Sequence, residues 1–226
     1  MQKKITVPFM LLGILFCICL VTSNLLSTKV IQIFGITATA GLIVFPISYI
    51  INDCIAEVWG FKKARLIIWS GFAANLLVIA FSQVAVALPA APFWDGGEGF
   101  NFVLGMAPRI AIASFTAFLV GSFLNAYVMS KMKLASQGKN FSTRAIVSTL
   151  AGETADSIIF FPIAFWGLVP ADQILIMIVT QAVLKSLYEA IILPVTSRVV
   201  KYIKKIEATD VYDDDISYNP LNIKDL

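Results

Sequence analysis

Residues 5–28 read ITVPFMLLGILFCICLVTSNLLST, a run without one charged side chain. A helix needs about 20 apolar residues to cross the hydrocarbon core of a bilayer, at about 1.5 Å of rise per residue. A helix apolar on every face is either a membrane span or the core of a large protein. This chain has 226 residues. The run is read as a transmembrane helix.

The rest of the chain repeats the pattern. Residues 30–52, 66–94 and 110–130 are equally free of charge. Two more apolar segments, 143–169 and 173–195, are interrupted, the first by Glu153 and Asp156, the second by Lys185 and Glu189. The expected architecture is all-α, with six transmembrane helices at about 7–28, 36–59, 65–88, 108–130, 143–169 and 173–196. They form one transmembrane domain over 1–226, ending in a cytoplasmic tail, 200–226. Composition agrees: 58% of residues are hydrophobic and 14% charged, against about a quarter charged in soluble domains. Lys3 and Lys4 before the first run resemble the start of a signal peptide, but no small-x-small cleavage site precedes Thr22, Ser23 and Asn24. It is read as the first span.

Orientation follows from Lys and Arg. Counted over alternate loops, 14 of the 17 basic residues fall on one side; Lys29, Arg109 and Lys185 are the exceptions. Basic loops stay inside, so both termini are expected in the cytoplasm. Phe-Pro steps at Phe45-Pro46 and Phe161-Pro162 suggest a 3+3 inverted repeat, as in many carriers. The segment 89–108, with PAAPFW (89–94) and DGGEG (95–99), should stop a helix and leave Phe93 and Trp94 in the interfacial belt. The acidic tail, with Asp210, Asp213, Asp214 and Asp215, is expected to be solvated.

Several chemistries are excluded at once. Histidine is absent, and Cys17, Cys19 and Cys54 form no CxxC pair. No histidine metal site, GxSxG turn, HExxH helix or phosphate-binding glycine loop is present. No metal, cofactor or enzymatic activity is expected. The remaining chemistry lies in charges inside the spans, which cost at least about 2.5–3.5 kcal/mol each at mid-bilayer.

Asp53 and Glu57, Glu153 and Asp156, and Lys185 and Glu189 are spaced so that each pair shares a helical face. Glu153 stands ten residues into its segment, about 15 Å deep and near the midplane where carriers place substrates. Five carboxylates face two ammonium groups, Lys29 and Lys185, so at least three acids are left to be protonated, wet or bound to a donor-rich ligand. The plainer alternatives are that Asp53 and Glu57 pair with Lys62, Lys63 or Arg65 at the interface, and that Lys185 with Glu189 only docks a helix. Asn24, Ser23, Asn75, Gln83, Asn125 and Gln181 add polar groups, and Phe45, Tyr49, Trp59, Phe161, Trp166 and Tyr188 add rings. Helix–helix hydrogen bonds and lipid-facing packing account for any one of these. Together they suit a planar, donor-bearing heterocycle, with Glu153 and Asp156 facing Asp53 and Glu57 across a cavity walled by Asn24 and Lys185. Unpaired acids at that depth make transport proton-coupled or facilitated rather than ATP-driven.

The residues resemble the queuosine precursor transporters, vitamin-uptake-like membrane proteins. The likeness rests on SNLLSTK (23–29), FPISYIINDCIAEVWG (45–60), PRIAIAS (108–114), STLAGETADSIIF (148–160), AFWG (164–167), LKSLYEA (184–190), DVYD (210–213) and YNP (218–220). It implies uptake of 7-deazaguanines such as 7-cyano-7-deazaguanine across the bacterial cytoplasmic (inner) membrane. It also implies substrate-binding positions at Asn24, Lys29, Asp53, Glu57, Asp156 and Lys185; Glu153 and Glu189 join them from the charge reading. Glu153 stands where the family often has Gln, and GSFLN (121–125) where it often has an Asp. The expected partners are a small-molecule 7-deazapurine and the lipid bilayer, with no nucleic acid; a homodimer stays open. The rival reading is the membrane subunit of an energy-coupling-factor importer, but residues 8–21 lack the Ala-x-x-x-Ala surface of such subunits.

Overall fold

The computed structural model describes residues 5–33, 36–105, 107–167, 170–214 and 216–222. Lys3, Lys4, Val169, Asp215 and Lys224 lie outside them, and only the backbone of Arg109 is described. Helix α1 runs Val7–Leu26, with Pro8 in the first turn, where its missing N–H is no loss. It ends because the Ser27 and Thr28 hydroxyls donate to the carbonyls of Ser23 and Leu25, at 2.8 and 2.7 Å.

The helix expected over 36–59 starts later. Strand β1 (Val30–Ile33) pairs antiparallel with β2 (Ile36–Thr39), and Ala40–Ile43 makes a 3₁₀ turn. Val30, Ile31, Ile33, Ile36, Thr37 and Thr39 are all β-branched, stiff at χ1 and suited to a strand. Hydropathy alone does not separate such a run from a helix. Helix α2 then spans Phe45–Trp59. Beyond it come α3 (Phe61–Ala87), α4 (Gly97–Gly105), α5 (Ala107–Ala135), α6 (Phe141–Phe165) and α7 (Ala171–Glu207).

The described residues thus hold seven α-helices, and six stretches are long and apolar enough to span a membrane. The all-α membrane architecture stands. Helix α4 was expected as irregular chain; it packs on α3, where Gln83 Nε2 donates to the Leu104 carbonyl at 3.1 Å. Helix α7 continues past residue 196, because a basic residue ends a span but favours the C-terminal turn of a helix, here Lys204 and Lys205.

The fold is polar inside and apolar outside. Leu11, Ile14 and Ile18 of α1 and Val179, Val183 and Leu187 of α7 point outward. Twelve of the 15 residues of α2 are buried, because α1, α3, α5 and α7 surround it. Helices α5 and α6 touch through glycines: a Cβ on Gly121 would lie 2.8 Å from the Gly152 carbonyl oxygen, and one on Gly152 the same distance from that of Gly121. Small residues permit such approach where no hydrophobic force drives helices together.

At one end of the bundle meet the α2–α3 turn, the α5–α6 turn and the end of α7, with Lys62, Lys63, Lys133, Arg144 and Lys204; this is the basic end. The tail docks there and is not free in solvent. Asp213 is 5% exposed and accepts the Phe61 backbone N–H at 2.9 Å and the Ser130 hydroxyl. Arg65 donates to the carbonyls of Ser217 and Asn219, and Trp69 to that of Pro220. The acid is recruited by unsatisfied N–H groups at the start of α3. Phe45 and Phe161 line one cavity because α2 and α6 run in opposite directions. With the helices antiparallel, the acids lie on the basic-end side of the Phe-Pro step in both, although they follow it in α2 and precede it in α6.

Candidate functional site

The cavity at those steps lies at the end of α2 away from the basic end. It encloses about 420 Å³ of empty space, part of it open to solvent. The α1 C-terminus gives Asn24 and Ser27, α5 Ser114, α6 Asp156, Phe160 and Phe161, and α7 Gln181 and Lys185. Phe45 reaches it because Pro46 fixes the first turn of α2.

Lys185 organises the charges. Its Nζ stands 2.7 Å from Glu153 Oε2, donates to Asp156 Oδ2 at 3.2 Å and sits 3.9 Å from the centroid of the Phe45 ring. The contact to Glu153 is an ion pair without hydrogen-bond alignment, and neither Glu153 oxygen has a hydrogen-bond partner among the described residues. Asn24 is held from both sides: it donates to Asn75 Oδ1 at 2.9 Å and accepts from Ser114 at 2.5 Å. It also borders a second recess of about 620 Å³ toward α3 and α4.

Gln181 is different. It is 2% exposed and lines the cavity, yet its amide nitrogen and oxygen have no partner among the described residues. An orphaned buried amide costs about 1–3 kcal/mol and is normally satisfied by something. It offers a bound molecule one acceptor and two donors.

Not all candidate residues meet here. Asn24, Asp156 and Lys185 line the cavity, and Glu153 adjoins through Lys185. Lys29 is exposed at the foot of β1. Asp53 lies two turns along α2 from Phe45, where it accepts from Asn125 Nδ2 at 2.9 Å. Its other neighbours are the Ser148 hydroxyl and the carboxyl group of Glu189. Glu57 lies one turn further, at the basic end. It receives both Nη atoms of Arg144 and Lys204 Nζ at 2.6 Å, and its backbone carbonyl accepts from Lys133. The charge count from sequence omitted Arg144 and Lys204, which were placed in loops and in fact reach inward. Glu57 is paired, and pairs with neither Lys62 nor Lys63.

Lys204 and Lys133 are bridged by Asp210, at 2.9 and 2.5 Å. Partial burial raises the Asp210 pKa, but hydrogen bonds and charge from Lys133 and Lys204 outweigh it and hold the carboxyl below its usual range. The sequence reading missed Ser114 and named Gln181 among the polar groups of the cavity but not among the substrate-binding positions; its spacing one turn before Lys185 was the available signal. No group of three His, Cys, Asp or Glu capable of holding a metal occurs among the described residues.

Residues 39–199 match the family described as "Putative vitamin uptake transporter". The chain belongs to this family. It is 30% identical over 176 residues to the "Probable queuosine precursor transporter" of Bacillus subtilis, covering 77% of this chain and 76% of that one. It is 31% identical over 156 residues to the "Queuosine precursor transporter" of Escherichia coli, covering 69% and 67%. No solved structure matches it. With six membrane-crossing helices and relatives named as transporters, this family member is a multi-pass bacterial membrane protein.

Proposed function

We propose that the protein imports 7-deazaguanine precursors of queuosine, such as 7-cyano-7-deazaguanine, across the cytoplasmic membrane as a secondary carrier independent of ATP. Its relatives' names point to the substrate class. The observation that carries the reading to this chain is the unpartnered Gln181 amide beside Asp156 and Lys185 in an aromatic-lined cavity. A guanine-like edge offers a ring N–H next to an amine, which a carboxylate accepts as a fork. Asp156 takes that edge, Lys185 meets the ring carbonyl, and Gln181 completes the set. Phe45, Phe160 and Phe161 give flat apolar faces, and Asn24 fixes the far wall. Glu153 holds Lys185 in place. The bias of 14 basic residues supports a basic end in the cytoplasm with both termini.

The test is uptake of radiolabelled 7-cyano-7-deazaguanine into liposomes of the purified protein without ATP. Uptake should be competed by 7-aminomethyl-7-deazaguanine and resist unrelated nucleosides. Uptake that appears only with an added ATPase would overturn the secondary-carrier reading in favour of an importer subunit.

A further inference from the structure

Between the cavity and the basic end lies a second polar centre. Asp53 on α2 and Glu189 on α7 are 0% and 1% exposed and face each other. Neither lines the cavity. No Lys or Arg pairs with either among the described residues: Lys185 is taken by Glu153 and Asp156, and Arg144 and Lys204 by Glu57. Asp53 accepts from Asn125 Nδ2 at 2.9 Å and, at 3.4 Å, from Ser148. Asn125 is itself oriented by Asn52, whose Nδ2 donates to Asn125 Oδ1 at 2.6 Å.

Glu189 has no such support. Both of its oxygens are buried without a geometric hydrogen bond among the described residues; Thr149 and Asp53 are its polar neighbours. The Asn52 Oδ1 atom is also buried and unpartnered. Two facing carboxyl groups without a cation repel each other when both are charged, which favours uptake of one proton between them. The proton such a site takes belongs to the pair as a unit.

The helices set this pair in a series. Along α7, Glu189 follows Lys185 by one turn, about 6 Å nearer the basic end. Along α2, Asp53 precedes Glu57 by one turn. Acidic groups therefore descend from Asp156 in the cavity, through Glu153, to the pair, and then to Glu57 among Arg144, Lys204 and Lys133. Other titratable groups around the pair are Tyr49 and Cys54 on α2 and Glu153 on α6, itself paired with Lys185; α6 also brings the Ser148 and Thr149 hydroxyls, and α5 the uncharged Asn125.

We infer that Asp53 and Glu189 form the binding site for one coupling proton per transport cycle, separate from the substrate cavity and one helical turn below it. The inference rests on the transport reading above and deepens it. A proton from water on the cavity side adds to a carboxylate oxygen of one member of the pair, forming an O–H bond whose hydrogen points at the other. The pair then carries one charge instead of two, which lets this buried layer move against its neighbours with substrate bound. On the cytoplasmic side the O–H bond breaks and the proton returns to water past Glu57. No other reactant is needed.

The full-length protein in liposomes carrying a lumenal pH dye tests this. Two quantities are followed: exchange of labelled for unlabelled 7-cyano-7-deazaguanine, and accumulation driven by an acid exterior. The wild type should show both, with substrate-dependent acidification of the lumen. Glu189→Gln and Asp53→Asn, each nearly isosteric, should retain exchange, which also reports correct folding. They should lose driven accumulation and acidification. Variants that still accumulate substrate with the pH gradient overturn the inference, as does wild-type accumulation that follows sodium instead. Loss of exchange in both variants overturns it by placing the pair in substrate binding. A wild type that exchanges but moves no protons defeats this inference alone; one that does not exchange defeats the transport reading with it.

Discussion

Asp156 touches both Lys185 and the cavity, while Glu153 keeps Lys185 paired if Asp156 changes. Asp156→Asn therefore removes a charged acceptor without orphaning the lysine. A hydrogen bond to a charged group is worth about 1.5–3 kcal/mol, so uptake should fall roughly ten- to a hundredfold at unchanged membrane abundance. Asp172→Asn, on an exposed residue at the start of α7, is the control and should leave uptake unchanged. Wild-type uptake by Asp156→Asn at matched abundance would remove this residue from the site. At this scale the sequence exposed the acids, because a charge inside an apolar run is conspicuous. It did not expose their partners. Arg144 sits three residues into α6 and Lys204 far along α7, both counted from sequence with the basic loops, yet long side chains reach inward to Glu57. Gln181 is quieter still, since one amide in a span is ordinary and only its lack of a partner marks it.

The elements the sequence misplaced are those where hydropathy carries no period. The hairpin before α2 and the helix α4 are apolar or glycine-rich, and only β-branching hinted at the first. The tail was misplaced for a different reason: four acids look solvated until a helix N-terminus and a ring of lysines are set beside them. Its junction with α7 makes a pH prediction. The folded pKa of Asp210 lies below the ordinary value, about 3.9, so its ion pairs contribute fully above that value and are lost as pH falls through the lower folded one. Asp210→Asn should therefore cost under about 1 kcal/mol of stability for so exposed a carboxylate, read as a small lowering of the thermal midpoint that is equal from about pH 5 to 7. The difference from wild type should vanish in acid below about pH 3. A difference that grows with acidity would show that Asp210 is not held by Lys133 and Lys204.

Taken whole, the molecule places its charged groups in three layers along α2: the cavity, the buried acid pair and the basic end. Only the last fixes a direction across the membrane. Basic loops resist translocation, and Lys62, Lys63, Lys139, Lys201 and Lys205 join Arg144 and Lys204 at that end. Gly97 opens α4 at the other end, and a Cβ built there meets nothing within 4 Å. A cysteine therefore fits without disturbing the fold. Lys139, exposed beside the α5–α6 turn, is the matching position at the basic end. With Cys17, Cys19 and Cys54 replaced by alanine, Gly97→Cys should react with a membrane-impermeant maleimide in intact cells. Lys139→Cys should react only after the membrane is opened. The reverse pattern would invert the protein, and with it the direction in which the acid pair passes its proton.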